Sequence, residues 1–224
     1  MSLALVHQQI VDCARCRRLR TYCQQIAREK KAAHRHETYW AKPVPGFGDP
    51  AAHLLILGLA PAAHGANRTG RVFTGDGSGD FLMSALYRTG FANIQTSQSI
   101  DDGLKLTDAY IAAAVRCAPP DNKPTTEEIA ACRSHLEAEL AQLPNVRVVL
   151  TLGKIAFDAF WQVLARRGVR AQPRPIFRHG ARYDFDGAPA LIASYHPSRQ
   201  NTNTGRLTHP MFEKVFRTAR QLLE

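Results

Sequence analysis

Three groups of residues in this chain have the types and spacing to do chemistry. The first follows the apolar run His53 to Leu59: Gly58-Leu59-Ala60-Pro61-Ala62-Ala63-His64-Gly65, then Arg68-Thr69-Gly70-Arg71 and Phe73-Thr74-Gly75-Asp76-Gly77-Ser78. An aromatic, a carboxylate, a histidine, two arginines and several glycines suit a pocket for a flat polar ring beside a phosphate chain. The second is Ser194-Tyr195-His196-Pro197-Ser198-Arg199-Gln200-Asn201, again directly after a strand-like run. On a parallel sheet both loops leave the same edge and face each other across one cleft. A His-Pro dipeptide alone is more often structural. Opposite Asp76, His196 becomes a candidate to stabilise a developing anion or to shuttle a proton.

The third group is the cysteines, of which there are five: Cys13, Cys16, Cys23, Cys117 and Cys132. An odd count at these spacings argues against a disulfide framework and towards metal or catalysis. Cys13 and Cys16 with Cys117 and Cys132 make a soft thiolate set of four, which suits zinc or an iron–sulfur cluster. A zinc ribbon repeats a close pair on both knuckles, whereas the second pair here is widely spaced. Cys132 shares an apolar helical face with Ile129 and Leu136, so alone it would read as a core cysteine. Cys23 reads as a spectator. A near match to a phosphate-binding loop, Gly65 to Val72, fails on its own terms. Arg71 stands where the lysine belongs, and Val72 cannot ligate magnesium.

The elements that must position these groups alternate along the chain. Residues 2–37 read as mostly helical, with a basic face of Arg15, Arg17, Arg18 and Arg20. Residues 40–50, rich in proline and glycine, form a loop. Strands are predicted at 53–59, 109–115, 146–152 and 190–194, and helices at 78–89, 126–142, 154–165 and 209–223. Thr125-Thr126-Glu127-Glu128 is a capping-box signature for the second of those helices. Residues 168–188 are less regular, with a hairpin around Asp186-Gly187, and 195–208 reads as a polar loop. The strands are apolar throughout rather than alternating, the pattern of a parallel sheet covered on both faces. The expectation is an α/β fold in three layers, forming one domain over residues 1–224.

At 224 residues the chain can bury a proper core. Its 29 Lys and Arg against 19 Asp and Glu leave a net charge of +10, which favours polyanionic partners. No apolar run of roughly 18 residues exists, and Met1 to Gln9 lacks the marks of a signal peptide. A soluble, cytoplasmic protein with no membrane partner is expected.

The full set closely resembles uracil-DNA glycosylase family 5, the type B enzymes. The residues that carry the likeness are Gly58-Leu59-Ala60-Pro61-Ala62, Arg68-Thr69-Gly70-Arg71 and Phe73-Thr74-Gly75-Asp76. With them go four of the cysteines, Pro119-Pro120-Asp121-Asn122-Lys123-Pro124 and His196-Pro197-Ser198-Arg199-Gln200-Asn201. The likeness runs from about residue 10 to 220. It implies a central four-stranded parallel sheet with helices on both faces and a [4Fe–4S] cluster on Cys13, Cys16, Cys117 and Cys132. It also implies removal of uracil and some other deaminated bases from DNA, leaving an abasic site; a monomer is expected. Two departures stand out. Ala62 replaces a common glycine, and Ile111-Ala112-Ala113-Ala114 lacks the asparagine found in some related classes. The apolar Leu59-Ala60, by contrast, fits family 5.

Each candidate residue has a physical role. An enzyme acting on a base must flip it out of the stack. Phe73 offers a ring to stack on, and Asn122 an amide that both donates and accepts. Asp76, at a helix N-terminus that favours its ionised form, suits the sugar side, as an anion or as the base that orients water. His196 suits the base side, as a donor towards the uracil oxygen. Backbone groups of Ala60, Pro61 and Ala62 contact the base, with Gly75 and Asn201 completing the binding set. Ser198, Arg199, Arg68 and Arg71 are expected to grip phosphates. The competing reading is a catalytically silent iron–sulfur module that binds nucleic acid or senses redox state.

Overall fold

Four short apolar runs make the centre of the sheet, because each is flanked by helices on both sides and every residue in three of them is buried. In the computed structural model, which describes residues 2–224, they are β2 (Leu54–Gly58), β3 (Ala109–Ala113), β4 (Val148–Leu152) and β6 (Ala188–Ser194). All four are parallel, with Ile56 opposite Ile111 and Leu150, and Leu150 opposite Ile192. Two short antiparallel strands, β1 (Phe47–Gly48) and β5 (Arg182–Phe185), extend the edges, so the six-stranded order is β1-β3-β2-β4-β6-β5. The expected four-stranded parallel sheet is therefore the middle of a wider mixed one. Strands β5 and β6 meet at the two-residue turn Asp186-Gly187, where Gly187 takes a φ of +68° that a glycine adopts without strain.

Alternate strand residues point to opposite faces. Leu54 and Ile56 pack with Leu82, Met83 and Leu86 of α4 (Gly77–Arg88) and with Phe212 and Phe216 of α8 (His209–Leu223). Leu55 and Leu57 face Leu136 and Leu140 of α5 (Thr126–Leu140) and Phe157, Phe160 and Leu164 of α6 (Lys154–Arg166). The capping box at Thr125 and Glu128 forms as the sequence signals. Among the described residues no helix is long and apolar enough to cross a membrane.

The N-terminal region is mostly helical, as expected, and divides into α1 (Leu3–Val11), α2 (Arg17–Glu29) and a single 3-10 turn at Ala32–His34. Cys13 to Cys16 fall in the non-helical link between α1 and α2. The packing at this corner explains the break. Leu19 and Cys23 of α2 are buried with Val115, Cys117, Ala118 and Cys132, so α2 turns to meet the segment after β3 and the start of α5. Within the two functional loops lie two more short helices, α3 (Ala66–Thr69) and α7 (Arg199–Asn203); the second interrupts the expected 195–208 loop.

Candidate active site

Beyond the C-terminal ends of β2, β3 and β6 opens a cleft of about 830 Å³. Its walls are the loop from Leu59 to Ser78, the turn at Pro119–Asn122, and the loop from His196 to Gln200. Asp76 caps α4. Its Oδ1 accepts hydrogen bonds from the backbone N–H groups of Ser78, at 2.9 Å, and Gly79, at 3.0 Å. Oδ2 has no such partner among the described residues and is left to the cleft. A methyl at Gly65 would sit 2.1 Å from that oxygen, so only a glycine gives the carboxylate room. Burial raises the pKa of Asp76 and outweighs the two amide hydrogen bonds that lower it; Asp80 adds to the rise and Arg199 opposes it. The helix terminus therefore does not dominate as the sequence alone implies.

Phe73 has a φ of +52° and lies against the end of β2, where a side chain at Gly58 would come within 2.7 Å of its ring. Its ring sits 5.7 Å from that of His196, tilted by 31°. His196 follows β6, and Asn201 holds its backbone by donating from Nδ2 to the His196 carbonyl at 2.8 Å. Burial depresses the imidazole to a pKa of about 4, so at neutral pH it is uncharged and carries one N–H. On the opposite wall Asp121 and Asn122 both adopt left-handed backbone, at φ +53° and +56°. Asparagine tolerates that conformation better than most residues. A flat group, a carboxylate oxygen, a neutral imidazole and an amide thus share one enclosure. They can stack on a ring, read its edge, and act on both sides of a bond that joins it to something else.

Behind the turn at Pro119 lies a second cavity, lined by Cys13, Cys16, Cys117 and Cys132 together with Arg20, Arg116 and His135. The Arg116 backbone N–H donates to Cys132 Sγ at 3.2 Å. Burial pushes the Cys132 thiol up to about 12. Arg20 Nη1, Arg116 Nε and Nη1 and His135 Nε2 are buried with no hydrogen-bond partner among the described residues. Four thiols facing donors that lack acceptors fit an anionic sulfur-rich group. Among the described residues no three His, Cys, Asp or Glu side chains close on a point that one metal ion could occupy. Cys23 lies outside the cavity, its thiol against the Ala118 carbonyl at 3.6 Å.

Residues 45–220 match the family model of the uracil DNA glycosylase superfamily. The chain belongs to that superfamily. A type-5 uracil-DNA glycosylase of Thermus thermophilus is 52% identical over 215 residues, covering 96% of this chain and 95% of the relative. The type-5 enzyme of Mycobacterium leprae is 45% identical, covering 99% and 96%. That of Pyrobaculum aerophilum is 42% identical, covering 98% and 97%.

Most of the site residues expected for a uracil DNA glycosylase fold are brought to the cleft: Ala60, Pro61, Ala62, Phe73, Gly75, Asp76, Asn122, His196, Ser198 and Arg199 all line it. Arg68 and Arg71 do not. Arg68 is spent on Glu37, on the His64 carbonyl at 2.9 Å and on the Gly75 carbonyl at 3.0 Å. Arg71 is 7% exposed, bound to Asp102 at 2.6 Å and to Thr74 and Ser97. Both brace the first loop from behind rather than offering charge to a ligand. Asn201 does not line the cleft; its side chain holds the His196 backbone instead. Tyr22, Lys31 and His34, which are not among the expected site residues, also line the cleft, from the region read as mostly helical. His64 also lines it, its Nδ1 3.0 Å from the Tyr39 hydroxyl. Only His64, already inside the first loop, carried a signal.

Proposed function

We propose that this chain is a DNA repair glycosylase that flips uracil, and other deaminated bases, out of DNA and hydrolyses the N-glycosidic bond. The observation that carries the reading is the unpartnered Oδ2 of Asp76 in the same cleft as Phe73, Asn122 and neutral His196. A flipped uracil stacks on Phe73, and the Asn122 amide donates to and accepts from its edge. As the bond to C1′ lengthens, positive charge grows on the sugar and the electron pair leaves with the base. The Asp76 carboxylate faces the sugar and takes a proton from the attacking water, whose oxygen joins C1′. Its raised pKa makes it a better proton acceptor than an exposed aspartate. His196 donates its N–H to the uracil oxygen that gains charge; a neutral imidazole does this without first losing a proton. Ser198 and Arg199 serve the phosphates, and Lys31 and His34 take the part that Arg68 and Arg71 cannot.

Cys13, Cys16, Cys117 and Cys132 would hold a [4Fe–4S] cluster in the second cavity. Its iron–thiolate bonds would cross-link the link before α2 to α5 and to the segment leading to Asn122, closing a loop of about a hundred residues. The working unit is a single cytoplasmic domain acting as a monomer. A silent binding module would leave Asp76 and His196 without work, and nothing observed favours it. Incubating the protein in excess with a uracil-containing duplex and then alkali should cut the strand at the uracil. An intact strand would defeat the reading.

A further inference from the structure

Five buried side-chain atoms among the described residues have no hydrogen-bond partner: Arg20 Nη1, Asn67 Oδ1, Arg116 Nε, Arg116 Nη1 and His135 Nε2. Buried polar groups are normally satisfied, because an unmet donor costs about 1–3 kcal/mol. Four of these five atoms belong to three residues that line the cysteine cavity, contributed by α2, by the segment after β3 and by α5. The donors are also held there. Arg116 is 1% exposed, and its Nη2 is anchored by Glu139. Glu139 is itself fixed by the Gly46 N–H at 2.8 Å and the Tyr110 hydroxyl at 3.2 Å. That anchoring leaves Arg116 Nε and Nη1 unspent. Arg20 has no carboxylate partner among the described residues, so its positive charge is not offset locally.

We propose that Arg20, Arg116 and His135 form a donor shell for the sulfur atoms of the group held by the four cysteines, a shell that retains that group and raises its reduction potential. The proposal rests on the iron–sulfur reading above. Hydrogen bonds to cluster sulfurs and nearby positive charge both stabilise the more negative, reduced state. The three residues divide the work. Arg116 is half-neutralised by Glu139 and supplies mainly fixed N–H groups. Arg20 supplies uncompensated charge as well. His135 places Nε2 there from α5, three residues beyond Cys132, and donates in the tautomer that carries the proton on that nitrogen.

The test uses the full chain purified without oxygen, with iron and sulfide content, visible absorbance and reduction potential read for the wild type, Arg20→Met, Arg20→Lys and His135→Leu. Circular dichroism checks that each variant folds. The potential should fall in Arg20→Met and His135→Leu, and their absorbance should bleach faster in air. For Arg20→Met the acceleration should be on the order of tenfold, the weight of one charged hydrogen bond. Arg20→Lys, which keeps the charge, should recover much of the potential. A folded variant that purifies without iron counts as the same loss of retention. Wild-type potential and bleaching rate in both Arg20→Met and His135→Leu would overturn the proposal. A wild-type protein free of iron and sulfide would instead overturn the cofactor reading itself.

Discussion

Substituting Gly65 by alanine should disable the site while leaving Phe73, Asn122 and His196 unaltered. The new methyl would lie 2.1 Å from Asp76 Oδ2 and 3.2 Å from Ala62 Cβ. Relief requires the carboxylate to retreat by about 1 Å, since real methyl contacts do not fall below 3.0 Å. A displacement of that size at a reacting group costs about 10²-fold in rate. The same retreat strains the two amide hydrogen bonds that cap α4, worth about 1 kcal/mol. In a single domain of this size that lowers the melting temperature by about 2–4 °C. Single-turnover uracil release at saturating duplex would read the first effect and thermal unfolding the second. Phe73, Asn122 and His196 keep their places, so duplex affinity should change little. Release within threefold of wild type would refute the claim that Oδ2 must stand where it does.

Asn122→Ala removes the amide proposed to read the uracil edge and should lower kcat/KM by about tenfold to a hundredfold; unchanged discrimination of uracil from thymine would rule that role out. Folded His196 takes up a proton only near pH 4, against 6.5 for the ordinary group, so the unfolded chain protonates first as pH falls. Its contribution to stability is therefore complete above about pH 6.5 and is lost below it; the fall in melting temperature from pH 6.5 to 4.5 should be shallower in His196→Gln, and parallel curves would contradict the buried neutral imidazole. Stripping iron with oxidant and chelator should lower the melting temperature by on the order of 10 °C, the effect of opening a loop of about a hundred residues. Coincident melts before and after stripping would show that the cysteines cross-link nothing.

The central strands were legible because burial on both faces demands unbroken apolar runs, and β2, β3 and β4 have them. The edge strands were not. β1 is two residues long, and β5 alternates exposed and half-buried positions in a stretch whose only clear signal is the Asp-Gly turn. Asp76 at the mouth of a helix was readable, since its cap is made two and three residues away. The fates of Arg68 and Arg71 were not, because Glu37 and Asp102, which occupy them, lie about thirty residues off in opposite directions. Lys31 and His34 reach the cleft only because α2 ends at Glu29 and the chain folds back, a tertiary fact with no local mark. The raised pKa of Asp76 belongs to the same class: the cap favouring the anion is local, and the burial that outweighs it is not.

The most direct measurement is single-turnover release of uracil from a duplex with one U·G pair, comparing wild type with Asp76→Asn. Asparagine keeps the shape and an oxygen for the α4 cap but removes the charge and the proton acceptor. The expected result is rapid release by wild type and a rate lower by about 10²- to 10⁴-fold in the variant, with duplex binding intact. Equal rates would mean that the free oxygen of Asp76 does not assist bond cleavage.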